Sequence, residues 1–166
     1  MFVKKLMAGV LSSAIVLTSA SFVNVLSAES TVLLNNTFET GTDGWTSWGS
    51  SSVSVSNSNA KTGSGCLKVT GRSESWNGAG KTMLGTLSAG KTYEISTWAM
   101  YEVGADEEEI KLQLKYKDTE GTDNYVSIAT VNAVIGEWTE VSNAEYTVPE
   151  DAVEYTMYFE TTDSLI

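Results

Sequence analysis

The chain has 166 residues, with 10 Lys plus Arg, 21 Asp plus Glu, one Cys and no His. This length favours a single domain. The absence of histidine excludes Ser-His-Asp and Cys-His catalytic pairs and His-ligated zinc or iron, and a single cysteine excludes an internal disulfide or a thiolate metal cage. The net charge of −11 disfavours nucleic acid and anionic membrane surfaces as partners, because both require a basic patch.

Residues 1–28 have the pattern of a secretory signal peptide. Lys4 and Lys5 precede an apolar run from Leu6 to Leu26, and Ala28 suits the cleavage position. An uncleaved membrane anchor is the alternative, since the run is long enough to span a bilayer, although several Ser and Thr residues dilute it. We expect residues 29–166 to form one secreted domain, and the loss of the two lysines takes the charge from −11 to −13.

Residues 29–166 contain short alternating runs separated by Gly, Ser, Asn and Asp clusters, and no helical periodicity. Such a pattern predicts an all-β jelly-roll sandwich of two antiparallel sheets. We expect Gly78 to Gly80 to form a turn and the acidic run Asp106 to Glu109 to form a solvated loop. In chain order, the predicted strands are Val53–Val55, Leu67–Val69, Tyr93–Tyr101, Ile110–Lys117, Tyr125–Thr130, Trp138–Val141 and Tyr155–Glu160.

The aromatic residues carry the clearest functional signal. Trp76 lies in a polar, glycine-flanked loop, Tyr125 shares a strand face with small polar residues, and Tyr158 shares its face with Glu160. Aromatic rings beside a carboxylate on a solvent-facing sheet suit sugars, whose C–H faces stack on rings and whose hydroxyls need acceptors. For each residue alone, covering a rim of the sandwich is an equally good interpretation. Three of the other four tryptophans, Trp45, Trp98 and Trp138, are predicted to lie in the core.

The order and spacing of several short motifs resemble carbohydrate-binding modules of family 22 and the broader family 4/9/22 group, over nearly all of residues 29–166. No single motif is specific. The motifs are Asn36 to Glu39 with Gly44-Trp45, Lys61 to Gly65, Val69 to Arg72 with Trp76 to Gly78, Leu87 to Tyr93 with Ser96 to Trp98, Gly136 to Thr139, Tyr146 to Pro149, and Tyr158 to Glu160.

The resemblance implies a jelly roll whose groove binds β-1,4-xylan or mixed-linkage β-glucan without cleaving it. By position, the binding residues would be Trp76, Tyr125, Tyr158 and Glu160. The family usually has an arginine where this chain has Trp48, which would either add a stacking surface or cover the rim. The resemblance also implies that the module is a monomeric part of a longer chain. That parent protein is expected to be a xylanase.

Two further expectations follow from the resemblance. A structural calcium ion would take one oxygen ligand from Glu39, although Glu39 could equally be a wet turn residue. Members also end in a strand rich in aromatic and β-branched residues, and this sequence stops at residues 162–166, where that strand should begin. We therefore expect the last strand to be truncated.

Two other function classes remain open at this point. Without histidine, a stand-alone polysaccharide hydrolase or lyase would need a pair of carboxylates facing one cleft, and the sequence does not show which acids meet. The other alternative is a β-sandwich used for adhesion at the cell surface. Release of reducing sugar would mark the enzyme, and a lack of polysaccharide binding would mark the adhesion domain.

Overall fold

A computed structural model of the chain describes residues 1–5 and 31–163. These residues contain strands and no helix. In chain order the strands are β1 (Phe2–Lys5), β2 (Thr31–Asn35), β3 (Thr46–Trp48), β4 (Ser52–Ser56), β5 (Cys66–Thr70), β6 (Gly78–Thr82), β7 (Thr92–Ala99), β8 (Glu107–Asp118), β9 (Asp123–Val134), β10 (Thr139–Thr147) and β11 (Ala152–Thr161).

The strands form two facing sheets and one separate hairpin. One sheet has the order β10-β7-β1-β2, the other has the order β3-β6-β11-β8-β9, and β4 pairs with β5 alone. Every pairing between these strands is antiparallel. The all-β sandwich predicted from the sequence is therefore confirmed.

Alternation along β8 and β11 explains how one sheet serves both a core and a surface. Leu112 and Leu114 on β8 and Met157 on β11 are fully buried between the sheets. Because successive side chains point to opposite faces, Gln113 and Tyr158 point the other way. The facing sheet contributes Tyr93, Ile95 and Val141, and Trp45 completes the core from the turn before β3. Because the apolar residues of β8 and β11 are buried between the sheets, the residues that alternate with them face outward.

Two local expectations from the sequence are wrong. Gly78 to Gly80 form strand β6 rather than a turn, and a Cβ atom on Gly78 would overlap the carbonyl oxygen of Phe159. Glycine at this position therefore permits the close approach of β6 to β11. The acidic run is not a loop either, because Glu107 begins β8. Glu108 is buried, and its Oε1 accepts a hydrogen bond of 2.7 Å from the Asp163 amide.

The first five residues form part of the four-stranded sheet, although the sequence predicts that they are excluded from the fold. Strand β1 lies between β2 and β7 and pairs with both. Met1 and Val3 are buried against the core. The backbone groups of β2 and β7 that face each other are satisfied by this strand. The rest of the predicted leader, its cleavage site and the last three residues, 164–166, lie outside the described residues.

Candidate functional site

The outward face of the five-stranded sheet carries a groove of about 600 Å³. In the strand register, Tyr158 lies opposite Gly80 on one side and Gln113 on the other, and Gln113 lies opposite Ser127. Glycine at position 80 has no side chain, which leaves room on this face for the indole of Trp48. The groove is lined by Trp48, Trp76, Gln113, Tyr125, Ser127, Tyr158 and Glu160.

All five binding residues predicted from the sequence meet in this groove. They come from three strands and one loop that are far apart in sequence: Trp48 ends β3, Trp76 lies in the loop before β6, Tyr125 is in β9, and Tyr158 and Glu160 are in β11. The sequence analysis missed Gln113 and Ser127. The alternation of β8 already placed Gln113 on the wet face, but nothing in the sequence showed that this face is next to β11.

Trp48 and Tyr158 do not present two separate rings. They stack with their centroids 4.9 Å apart and their planes 25° apart, and Tyr158 is only 4 % exposed. The expectation that Tyr158 offers an open ring to a ligand is therefore not met, because Trp48 covers it. A Cβ atom at Gly80 would lie 3.0 Å from Cε3 of Trp48, so the missing side chain at Gly80 allows the indole to settle there. Trp48 provides the accessible ring at this position.

Trp76 lies on the same side of the groove as Trp48 and is 48 % exposed. Its six-membered ring lies against Gly49, where any Cβ atom would overlap it. Gly49 also has a φ of 68°, a left-handed conformation that glycine adopts at low cost. Gly49, the residue after Trp48, therefore makes room for the ring of Trp76. This contact places the indoles of Trp48 and Trp76 on the same side of the groove.

The loop that presents Trp76 is held by two side chains. Arg72 donates from Nε to the Asn77 carbonyl at 2.5 Å, and from Nη2 to the Ser75 carbonyl and the Thr161 hydroxyl at 2.6 Å each. Oδ1 of Asn77, which is fully buried, accepts hydrogen bonds from the amides of Ser73 and Glu74. These bonds fix the loop before any ligand arrives, which lowers the entropic cost of binding.

We expect Arg72→Ala to weaken ligand binding by roughly tenfold, because Trp76 would then have to be ordered by the ligand. Arg72→Lys should restore little of the loss, since one ammonium group cannot reach three acceptors as a guanidinium does. Titration of both variants with ligand, with tryptophan fluorescence recording the setting of the loop, tests this. Unchanged affinity in a variant whose fluorescence has changed would contradict the positioning role.

Tyr125 faces Trp76 and Trp48 from the opposite wall and is 58 % exposed. The Lys115 ammonium lies 5.8 Å from the centre of its ring and forms an ion pair of 2.7 Å with Asp123. This ion pair anchors the start of β9 beside the ring. Tyr125 therefore keeps an open face toward the groove, as the sequence predicted.

The polar part of the groove centres on Glu160. Nε2 of Gln113 donates to Oε1 of Glu160 at 2.8 Å, which orients both side chains. Burial raises the pKa of the adjacent Tyr158 hydroxyl, and the negative charge of Glu160 adds to this effect. The hydroxyl therefore stays protonated, and its hydrogen bond to the Glu160 carboxylate contributes to the raised pKa. Together these groups offer fixed donors and acceptors between aromatic walls.

Comparison with known proteins identifies the fold and the groove together. The family profile described as "Carbohydrate binding domain" matches residues 30–165. The C-terminal family 22 carbohydrate binding module of Clostridium thermocellum Xyn10B superposes with a TM-score of 0.74 at 32 % identity, over 77 % of this chain and 83 % of that module. The chain belongs to carbohydrate-binding module family 22. The resemblance seen in the sequence is confirmed.

Other relatives of this module are multidomain enzymes. A xylanase/beta-glucanase of Ruminococcus flavefaciens is 35 % identical over 132 residues, which are 79 % of this chain and 16 % of the relative. A Clostridium thermocellum structure of joined CBM22-1 and GH10 modules, complexed with xylohexaose, matches at 30 % identity and a TM-score of 0.74 over 80 % of this chain and 26 % of that one. The chain thus spans a small fraction of these proteins.

The described groove residues do not include a facing pair of carboxyl groups. Glycoside hydrolysis requires two carboxyl groups facing each other across the sugar, about 5–10 Å apart. Among the described residues that line the groove, Glu160 is the one carboxylate. Two other carboxylates on this face, Glu109 and Asp123, are held in ion pairs with Lys111 and Lys115. The arrangement can bind a sugar but lacks the second group for acid–base catalysis.

Glu39, the predicted calcium ligand, lies in a turn away from the groove. Its Oε1 accepts hydrogen bonds from the amides of Ser64 at 2.8 Å and Gly65 at 3.2 Å, and its Oε2 accepts one from the Ser64 hydroxyl. These bonds lower the pKa of Glu39. Calcium takes six to eight oxygen ligands, and no cluster of three acidic or thiol side chains occurs among the described residues. The described residues around Glu39 do not complete the oxygen shell of a calcium ion, so calcium binding stays a prediction.

The three tryptophans assigned to the core have different environments. Trp45 is 2 % exposed, as predicted, and its indole N–H donates to Asn36 at 2.9 Å. Trp138 is half-buried and donates to the Asn59 carbonyl at 3.0 Å. The prediction for Trp98 is wrong, since this residue is 45 % exposed on β7 with the Lys61 ammonium 4.1 Å above its ring. Trp98 lies on the outer face of β7. The sequence of this strand mixes polar and apolar residues without clear alternation, so it did not show which face Trp98 occupies.

Proposed function

We propose that this module binds β-1,4-xylan or mixed-linkage β-glucan in the groove without cleaving it. The observation that carries the proposal is the combination of three accessible rings, Trp48, Trp76 and Tyr125, with the fixed Gln113–Glu160 pair. Pyranose rings present C–H faces that stack on aromatic surfaces, and equatorial hydroxyls that bond to amides and carboxylates. The groove offers both kinds of contact over one continuous surface.

The affinity should be modest because the groove is open to solvent. Two or three stacked rings and a few hydrogen bonds to a polymer suit dissociation constants on the order of 10–100 μM, or about −5 to −7 kcal/mol. A binding domain of this kind contributes by keeping an attached domain close to an insoluble polymer, which raises its local concentration. Weak binding is sufficient for that role.

The parent protein is proposed to be a xylanase that this module targets to plant cell-wall polysaccharide. Support comes from relatives named as endo-1,4-beta-xylanases, such as that of Thermoanaerobacterium saccharolyticum, which is 38 % identical over 71 % of this chain and 10 % of its own length. We propose that the module is a monomeric unit within such a chain, with the hydrolysis carried out by another domain.

Secretion by way of the leader at residues 1–28 is part of the same proposal. A polymer of the plant cell wall lies outside the producing cell, and the leader has the charge and apolar pattern of a signal peptide. No helix among the described residues is long and apolar enough to cross a membrane. Removal of the leader would take β1 with it and leave facing edges on β2 and β7. Amino-terminal sequencing of protein from the culture medium would locate the cleavage.

Affinity electrophoresis tests the binding proposal directly. The folded protein is run through native gels that contain soluble xylan, barley β-glucan or no polymer. We expect xylan or β-glucan to retard the protein in proportion to polymer concentration. Normal mobility in both polymers, from protein with a native near-ultraviolet circular dichroism spectrum, would reject the groove as a polysaccharide site.

A further inference from the structure

The charges around the groove are arranged unevenly. Of the described residues that line it, Glu160 alone carries a charge at neutral pH, and that charge is negative. Its polar partners within the groove, the amide of Gln113 and the hydroxyl of Tyr158, are both neutral. Glu74, which is exposed in the loop beside Trp76, adds a second negative charge near the rim. Among the described residues, no lysine or arginine lines the groove itself.

Three lysines on β8 share this face, and each is already paired. The Lys111 ammonium lies 2.9 Å from Glu109, Lys115 lies 2.7 Å from Asp123, and Lys117 lies 3.9 Å from both Asp123 and Glu154. Lys111 is also opposite Glu160 in the strand register, so it is shared by two carboxylates. The three lysines are therefore outnumbered by Glu160 and the three acids paired with them, Glu109, Asp123 and Glu154.

We propose that the groove selects neutral sugar rings and disfavours sugars that carry a carboxylate, such as uronic acid residues on a xylan chain. This inference rests on the proposed function, because it concerns the ligand of that same groove. A uronate beside Glu160 would meet a like charge without a free cation to offset it. The overall charge of −11 adds a longer-range repulsion of the same sign.

The expected discrimination is moderate. Two like charges about 5–6 Å apart at a partly solvated surface repel by enough to weaken binding roughly five- to tenfold at low salt. Because the site is open, added salt should screen most of this difference. The preference should therefore shrink as the salt concentration rises, whereas stacking on Trp48 and Trp76 should change little.

A matched ligand pair isolates the charge. One ligand is a xylo-oligosaccharide that carries an internal uronic acid, and the other is the same oligosaccharide after carboxyl reduction to the neutral alcohol. Calorimetric titration of the protein with both, at low and high salt, should show weaker binding of the acidic ligand at low salt and nearly equal binding at high salt. Equal or tighter binding of the acidic ligand at low salt would overturn the inference and leave the proposed function intact. Failure of both xylo-oligosaccharides to bind would overturn the inference, and the proposed function would fall with it if barley β-glucan also failed to bind.

Two variants locate the effect. Glu160→Gln removes the charge in the groove, and Glu145→Gln removes an exposed charge on β10 in the other sheet. The quantity compared is the ratio of the two affinities, so a general loss of binding in Glu160→Gln does not obscure it. We expect Glu160→Gln to abolish most of the discrimination and Glu145→Gln to keep it. An equal effect of both variants would assign the preference to overall charge and overturn the role of Glu160.

Discussion

Replacing Trp76 with alanine is expected to weaken polysaccharide binding by tenfold to a hundredfold, while the fold stays intact. Trp76 is 48 % exposed and supplies the largest open ring of the groove, and removing such an aromatic anchor typically costs about 1.5–3 kcal/mol. Few buried contacts are lost, so the unfolding temperature should change little. Titration of the variant with xylohexaose and a thermal melt give the two measurements.

Trp98→Ala is the matched control for this change. Trp98 is 45 % exposed, almost the same as Trp76, but it lies on β7 in the other sheet. The two variants lose the same side chain from similarly exposed positions, so only location relative to the groove differs. We expect Trp98→Ala to bind as the unmodified protein does. Equal losses in the two variants would mean that binding does not depend on this groove.

The largest effect on stability is expected from Trp45→Ala, at about 3–5 kcal/mol. Trp45 is 2 % exposed and packs against Phe159 at a centroid distance of 5.8 Å. The change also removes the hydrogen bond that the indole N–H donates to the buried Asn36 side chain. Leaving this buried acceptor without a partner adds a desolvation cost. For a domain of this size such a loss lowers the unfolding temperature by about 10 °C or more.

Trp45→Phe separates the two contributions. It keeps most of the apolar contact and removes only the N–H donor, so we expect a smaller loss of about 1–2 kcal/mol. Urea denaturation followed by circular dichroism measures both variants. The exposed Trp98→Ala should change the free energy of unfolding by well under 1 kcal/mol. If Trp98→Ala lowered the free energy of unfolding as much as Trp45→Ala, Trp98 would not be a surface residue as the structure indicates.

The strands with clear alternation were predictable because each repeat of two residues has one buried and one wet position. This holds for β8 and β11, where Leu112 and Met157 are buried as expected. It failed for β6, because Gly78 and Gly80 have no side chain and Ala79 has only a methyl group, too little to show a pattern. It also failed at Glu108, whose burial depends on the amide of Asp163 from a distant strand end. Local pattern cannot report a partner that is far away in sequence.

For the groove, the sequence by itself determined which residues are suited to sugars: Trp76 and Tyr125 are exposed aromatic residues, and Glu160 is a half-buried acid beside them. The tertiary structure decided how they combine. Only the pairing of β3 with β6 and of β6 with β11 brings Trp48 over Tyr158. That contact buries a ring that the sequence assigned to the ligand. Composition and spacing report the chemistry of each side chain, whereas accessibility depends on what the neighbouring strand places above it.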